Sequence, residues 1–203
     1  QSSSAASDVY KRQAFEPGER AFEILTANVR LNQLSQVDLR REVLGSEVGE
    51  VRFMRNLGLA NRLVVDGESL DDSAWEMLKS TTLDVELDAP FALGKIDVEG
   101  AEPLVFAGAM ESLAEGNPAV WLMEFKDRLL VKFGWSAERF AAQMRDRGYR
   151  LGVYDAERNE LSFPDQAWIN HDNVLAVAET SVDDVRSRLA DGPREILGAP
   201  PLS

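Results

Sequence analysis

The stretch Lys95-Ile96-Asp97-Val98-Glu99-Gly100-Ala101-Glu102 decides the fold. It ends an apolar run whose pattern predicts a strand over Phe91 to Val98. It opens a periodic segment that predicts a helix over Glu102 to Ala114, with Pro103 in the first turn, where its missing N–H does no harm. A strand passing through a short acidic junction into a helix is half of a βαβ unit, and in open parallel sheets ligands sit outside the carboxyl ends of the strands. Carboxylates in a first helical turn favour the helix dipole by about 0.3–1 kcal/mol each, which accounts for Glu99 and Glu102 as helix-start charges. It does not account for Asp97. The pattern puts that carboxylate inside an apolar strand, where it needs a partner, and Lys95 on the same side is the candidate.

Outward from this stretch the same alternation recurs. Ala14-Phe15-Glu16-Pro17 reads as the end of a strand stopped by proline, and Glu19 to Leu34 as a helix with Phe22, Leu25 and Val29 on one face. Val37 to Leu44 and Val51 to Met54 read as strands around the turn Gly45 to Gly49, and Asn56 to Gly67 as a loop. Thr81 to Leu87 reads as a half-buried strand with Leu83, Val85 and Leu87 inward. Ala119 to Phe125 is nearly all apolar, as suits a parallel strand buried on both faces. A helix opens at Ser136 as N-cap and closes at Gly148. Tyr149 to Tyr154, Glu160 to Phe163 and Asn173 to Ala178 read as strands, Val182 to Leu189 as a last helix, and Gly192 to Ser203 as a proline-containing tail. The expected class is α/β, with a parallel sheet covered by helices on both faces.

The composition narrows the function. With 203 residues, 44% of them apolar, the chain suffices for one domain with a substantial core. A net charge of -13 argues against nucleic acid or an anionic membrane as partner, since a phosphate-binding surface needs a basic patch. The absence of cysteine excludes disulfides, thiolate zinc sites and thiol catalysis, and points to a cytoplasmic setting. No apolar run is long enough for a membrane span, and the first residues carry no signal-peptide core. There is no nucleophile elbow, and His171, the single histidine, falls in a polar turn. Asp97, Glu99 and Glu102 together offer oxygen ligands for Mg²⁺ or Ca²⁺.

These pieces resemble the FkbM family of S-adenosylmethionine-dependent methyltransferases. The resemblance is carried, in order, by Phe15-Glu16-Pro17, Asn28 and Asn32, Thr82-Leu83-Asp84, Lys95 to Glu102, Gly108-Ala109, and Leu122-Met123-Glu124-Phe125. It spans about residues 14 to 178 and implies a Rossmann-like class I methyltransferase sheet lacking its first strand and glycine-rich loop. It further implies O-methylation of a hydroxyl on a sugar, glycan or polyketide-like metabolite. Glu16 would hold the ribose diol of S-adenosylmethionine, Leu44, Gly45 and Ser46 would flank its adenine, and Asp97 would stand by the sulfonium and the acceptor as base or orienting group. Glu99, Glu102 and Glu124 would lie on the substrate side.

In the family an Asp-x-Gly-x-x-x-Gly loop holds the methionine part of the cofactor, and no such loop occurs in these residues. Ser3 to Gln13 resemble the translation of a sequencing adapter, so the expected layout is a non-native tail over 1–13, a partial methyltransferase domain over 14–180, and a helix with a Pro-rich tail over 181–203. On that layout the chain is expected to bind the cofactor poorly. The competing expectations are a non-catalytic Rossmann-like binding domain and a Mg²⁺-dependent hydrolase.

Overall fold

In the computed structural model, residues 12–55, 61–65, 67–169 and 171–191 are described. The expected tail over 1–13 lies outside them except for Arg12 and Gln13, which belong to a strand; the tail over 192–203 and part of the expected Asn56 to Gly67 loop also lie outside them. The chain divides into two compact units, 1–82 and 83–203.

In the first unit, β1 (Arg12–Phe15) pairs in parallel with β2 (Val37–Arg40) across the helix α1 (Glu19–Leu31). This is the expected strand–helix–strand unit, with Ala21, Phe22, Leu25 and Val29 as the half-buried stripe. The single strand expected over Val37 to Leu44 is in fact broken. β3 (Val43–Leu44) joins a second sheet of order β3-β5-β4, built with β4 (Gly49–Met54) and β5 (Trp75–Thr81). Arg41, at the break, turns its guanidinium to the Pro17 carbonyl and to Glu76, which holds the chain between its two sheets. Val43, Phe53 and Leu78 form a small core against Val51 and Leu63.

The strand expected over Thr81 to Leu87 is corrected as well. The strand lies earlier, in β5, and α2 (Leu83–Glu86) is a helical turn. Leu83 is buried but Val85 is exposed, so the alternation in the sequence never becomes two faces of a sheet. β5 shows no apolar alternation in sequence, because after Leu78 its buried residues are the small polar Ser80 and Thr81, while Met77 faces solvent.

The second unit carries a sheet of order β6-β7-β10-β8-β9. Its strands are β6 (Leu93–Ile96), β7 (Val120–Glu124), β8 (Tyr149–Asp155), β9 (Glu160–Ser162) and β10 (Asn173–Ala178). Its helices are α3 (Glu102–Ala107), α4 (Met110–Ala114), α5 (Asp127–Leu130), α6 (Ala137–Asp146) and α7 (Val182–Asp191). The helix expected over Glu102 to Ala114 is interrupted at Gly108-Ala109, between α3 and α4.

The expected parallel sheet is a mixed one here. β6 and β7 are parallel, joined by the α3–α4 crossover, but β10 lies antiparallel between β7 and β8, and β9 is antiparallel to β8. The short turn between β8 and β9 permits only a hairpin, since parallel neighbours need a crossover of about a dozen residues.

Helices do cover both faces of this sheet. On one face, Phe106 of α3 meets Trp121 edge-on at 5.0 Å, and Phe140 of α6 stacks on Phe125 at 4.9 Å. Trp121 lies flat over Gly94, where any Cβ would come within 2.4 Å of the indole. On the other face, Val182, Val185 and Leu189 of α7 pack against Val120, Leu175 and Val177. Among the described residues β6 pairs with β7 alone, and Leu93 is 62% exposed on it.

Candidate functional site

The parallel register of β6 and β7 aligns Ile96 with Met123, so Asp97, the first residue past β6, and Glu124, the last residue of β7, stand at neighbouring strand ends. Asp97 stands just past β6 and not within it. Its side chain is 47% exposed and ion-paired to Lys95 at 3.3 Å, Lys95 itself being 60% exposed. The partner is the expected one, but the expected desolvation is not there: this carboxylate is open to solvent and to a ligand.

The buried carboxylate is Glu102. Expected as a helix-start charge, it is 2% exposed, and its Oε1 accepts the backbone N–H of Val98 at 3.0 Å and that of Gly100 at 3.5 Å. The turn between them is tight, with Glu99 at φ +56° and Gly100 at φ +100°. A left-handed glutamate is uncommon and is held only where surrounding contacts over-determine it. Gly100 is required by close approach too, because a Cβ there would come within 2.4 Å of the Leu129 carbonyl oxygen. Burial pushes the Glu102 carboxyl above the ordinary glutamate range. The hydrogen bonds from Val98 and Gly100 oppose the rise, and the nearby Glu124 charge adds to it.

Glu124 is mostly covered and pairs with Lys126, whose ammonium also lies 3.8 Å from Asp172. The hydrogen bond to Glu124 raises Lys126 above its usual range. The Phe125 N–H donates to the Asp172 carbonyl at 2.8 Å, which fastens this end of β7 to the segment before β10. Lys126 and Asp172 were not singled out in the sequence. A lysine two residues after a strand-end glutamate was the available signal, whereas Asp172 comes into range only through the β7–β10 pairing. Glu99 is half-buried in its turn, and His171 is exposed, in the polar turn where it was expected.

In the first unit, Glu16 follows β1 and its Oε1 accepts the Gly18 N–H at 2.7 Å. The Glu16 backbone N–H donates to the Arg40 carbonyl, continuing the β1–β2 ladder to the carboxyl end. Leu44 pairs with Thr81, the Gly45 N–H donates to the Thr81 carbonyl at 2.9 Å, and Ser46 is exposed. Among the described residues no group of three or more His, Cys, Asp or Glu converges to hold a metal ion. No helix among them is long and apolar enough to cross a membrane.

A helix-covered mixed sheet with acidic residues at the carboxyl ends of its parallel strands is a Rossmann-like α/β fold. No protein-family profile matches the chain, and no curated protein sequence matches it. Among solved structures it is similar to methyltransferase FkbM from Methylobacillus flagellatus KT. The identity is 12%, the match covers 83% of this chain and 36% of that one, and the TM-score is 0.50. The likeness shows the fold, which is that of an FkbM-like methyltransferase. The chain spans about a third of the length of the protein it matches.

Proposed function

We propose that this fold serves S-adenosylmethionine-dependent O-methylation of a hydroxyl on a sugar, glycan or polyketide-like metabolite. The observation that carries the proposal is the exposed Asp97 carboxylate at the carboxyl end of β6, beside Glu124 on β7, in a methyltransferase-like fold. A cytoplasmic setting belongs to the same proposal and rests on the acidic, cysteine-free composition.

The residues present fit part of the cofactor. Glu16 is half-buried at a strand end, and beyond the Gly18 N–H its carboxylate has acceptor capacity for a ribose diol. Gly45 is buried and close to the Ser80 hydroxyl, a thin segment suited to a flat base, with Leu44 and Ser46 on either side. S-adenosylmethionine, when bound, supplies an already activated methyl group. The chain's own share is to align the acceptor, with Asp97 taking or orienting its hydroxyl proton and Glu99 and Glu124 bordering the acceptor.

The 203 residues contain no Asp-x-Gly-x-x-x-Gly loop, so the proposal includes weak cofactor binding and poor turnover by this chain as it stands. The test is calorimetry with S-adenosylmethionine, on this chain and on one carrying the source locus's sequence upstream of Ala14. Labelled methyl transfer to a panel of hydroxyl acceptors follows. Cofactor binding and transfer by the longer chain alone is the expected result. A folded longer chain that binds no cofactor would leave a non-catalytic binding domain as the better account.

A further inference from the structure

We infer that Glu102 is a positioning residue: buried behind the Val98–Ala101 turn, it fixes the backbone that presents Asp97. The inference rests on the role proposed for Asp97 but is carried by separate geometry. The Val98 N–H that Glu102 accepts at 3.0 Å belongs to the same peptide unit as the Asp97 carbonyl. With Ile96 held in the β6–β7 ladder on one side, holding that plane on the other restrains the ψ angle of Asp97, and with it the direction in which the Asp97 side chain leaves the backbone.

The second anchor, from the Gly100 N–H at 3.5 Å, holds the far side of the turn. Between the two anchors Glu99 sits at a positive φ that would relax without them. Packing closes the turn from behind, with the Leu129 carbonyl against Gly100. A carboxylate 2% exposed that takes hydrogen bonds from the Val98 and Gly100 N–H groups has a local task, and the turn it holds is the one that directly follows Asp97. The charged group known to bear on it from a neighbouring element is Glu124 of β7, itself paired with Lys126.

The test is a pH titration of the full chain by two-dimensional NMR, following the Val98 and Gly100 amides and the side-chain carboxyl carbons of Asp97 and Glu102. In the wild type both amides should shift in one step that shares the Glu102 midpoint. In Glu102→Gln, which keeps an acceptor oxygen but cannot ionise, that step should vanish while the Asp97 carboxyl signal keeps its wild-type position. In Glu102→Ala the Asp97 signal should move.

Amides that ignore the Glu102 titration would overturn the inference, as would an Asp97 signal unmoved in a folded alanine variant. If the alanine variant does not fold, persistence or loss of the amide step in Glu102→Gln decides alone. Methyl transfer plays no part in this readout. Failure of turnover would count against the proposed function and leave the positioning role standing.

Discussion

The Asp84 carboxylate accepts both the backbone N–H and the hydroxyl of Ser112, each at 2.8 Å, and the Glu111 N–H at 3.1 Å, capping α4 from 28 residues upstream. Burial alone would raise its pKa, but these hydrogen bonds outweigh it and hold the carboxyl below its ordinary value of 3.8. Replacing Asp84 by Ala should therefore cost about 0.5–2 kcal/mol at neutral pH, the usual range for a lost helix cap, measured by denaturant unfolding. A group with a depressed folded pKa contributes stability above its unfolded value and loses it as pH falls through the folded one. The gap between wild type and variant should close below pH 3.8.

Glu102 has the opposite sign. Its carboxyl holds a proton more tightly folded than unfolded, so across the window above its ordinary value of 4.5 the folded state binds more protons. Wild-type stability should fall relative to Glu102→Gln as pH rises through that window, and then run parallel to it. Unfolding curves of the two proteins between pH 4 and 8 measure this, and a difference that grows in favour of the wild type would contradict it.

Asp97 separates function from stability. Its side chain is half exposed and its pair with Lys95 is a surface ion pair, so Asp97→Asn should leave the unfolding free energy within about 0.5 kcal/mol. In the cofactor-binding form, methyl transfer should drop by about 10²-fold or more, in line with the loss of a general base. Equal kcat in the variant would remove Asp97 from the proposed chemistry.

Two glycines with positive φ should respond differently to alanine. Gly148 has nothing near its missing Cβ, so Gly148→Ala should cost about 1 kcal/mol from the left-handed backbone alone. Gly100→Ala adds a collision with the Leu129 carbonyl, and its cost should exceed about 2 kcal/mol. Thermal melts of both variants rank them, and equal costs would show that the segment around Leu129 moves aside freely.

The buried Tyr149 hydroxyl donates to the Pro118 carbonyl at 2.9 Å, and burial pushes its pKa up to about 12. Tyr149→Phe leaves that carbonyl without its partner and should cost about 1–2 kcal/mol. An ultraviolet pH titration should show a phenol step near pH 12, and that late step should be missing in the variant.

The sequence by itself determined the elements that rest on local rules. The Ser136 cap, the Gly148 stop, the apolar run of β7, the closing strands and the acidic junction after Ile96 stand where propensity, capping and periodicity put them. Asp97 and Glu124 at neighbouring strand ends also follow from it, because the β6–crossover–β7 unit is local in the chain. The pairing of β10 between β7 and β8, the break at Arg41 between two sheets, and β5 with its small polar inward residues required partners distant in sequence.

The Lys95–Glu102 stretch shows the division most plainly. Its letters mark Asp97 as the acid under desolvation and account for Glu102 as a helix-start charge, but in the folded chain Asp97 is half exposed and Glu102 is buried. The direction of a carboxylate at a strand-to-helix turn is set by the φ angles of Glu99 and Gly100 and by the Leu129 backbone behind them. A buried charge is tolerated where N–H donors meet it, and those donors are placed by the folded turn, not by the order of residues.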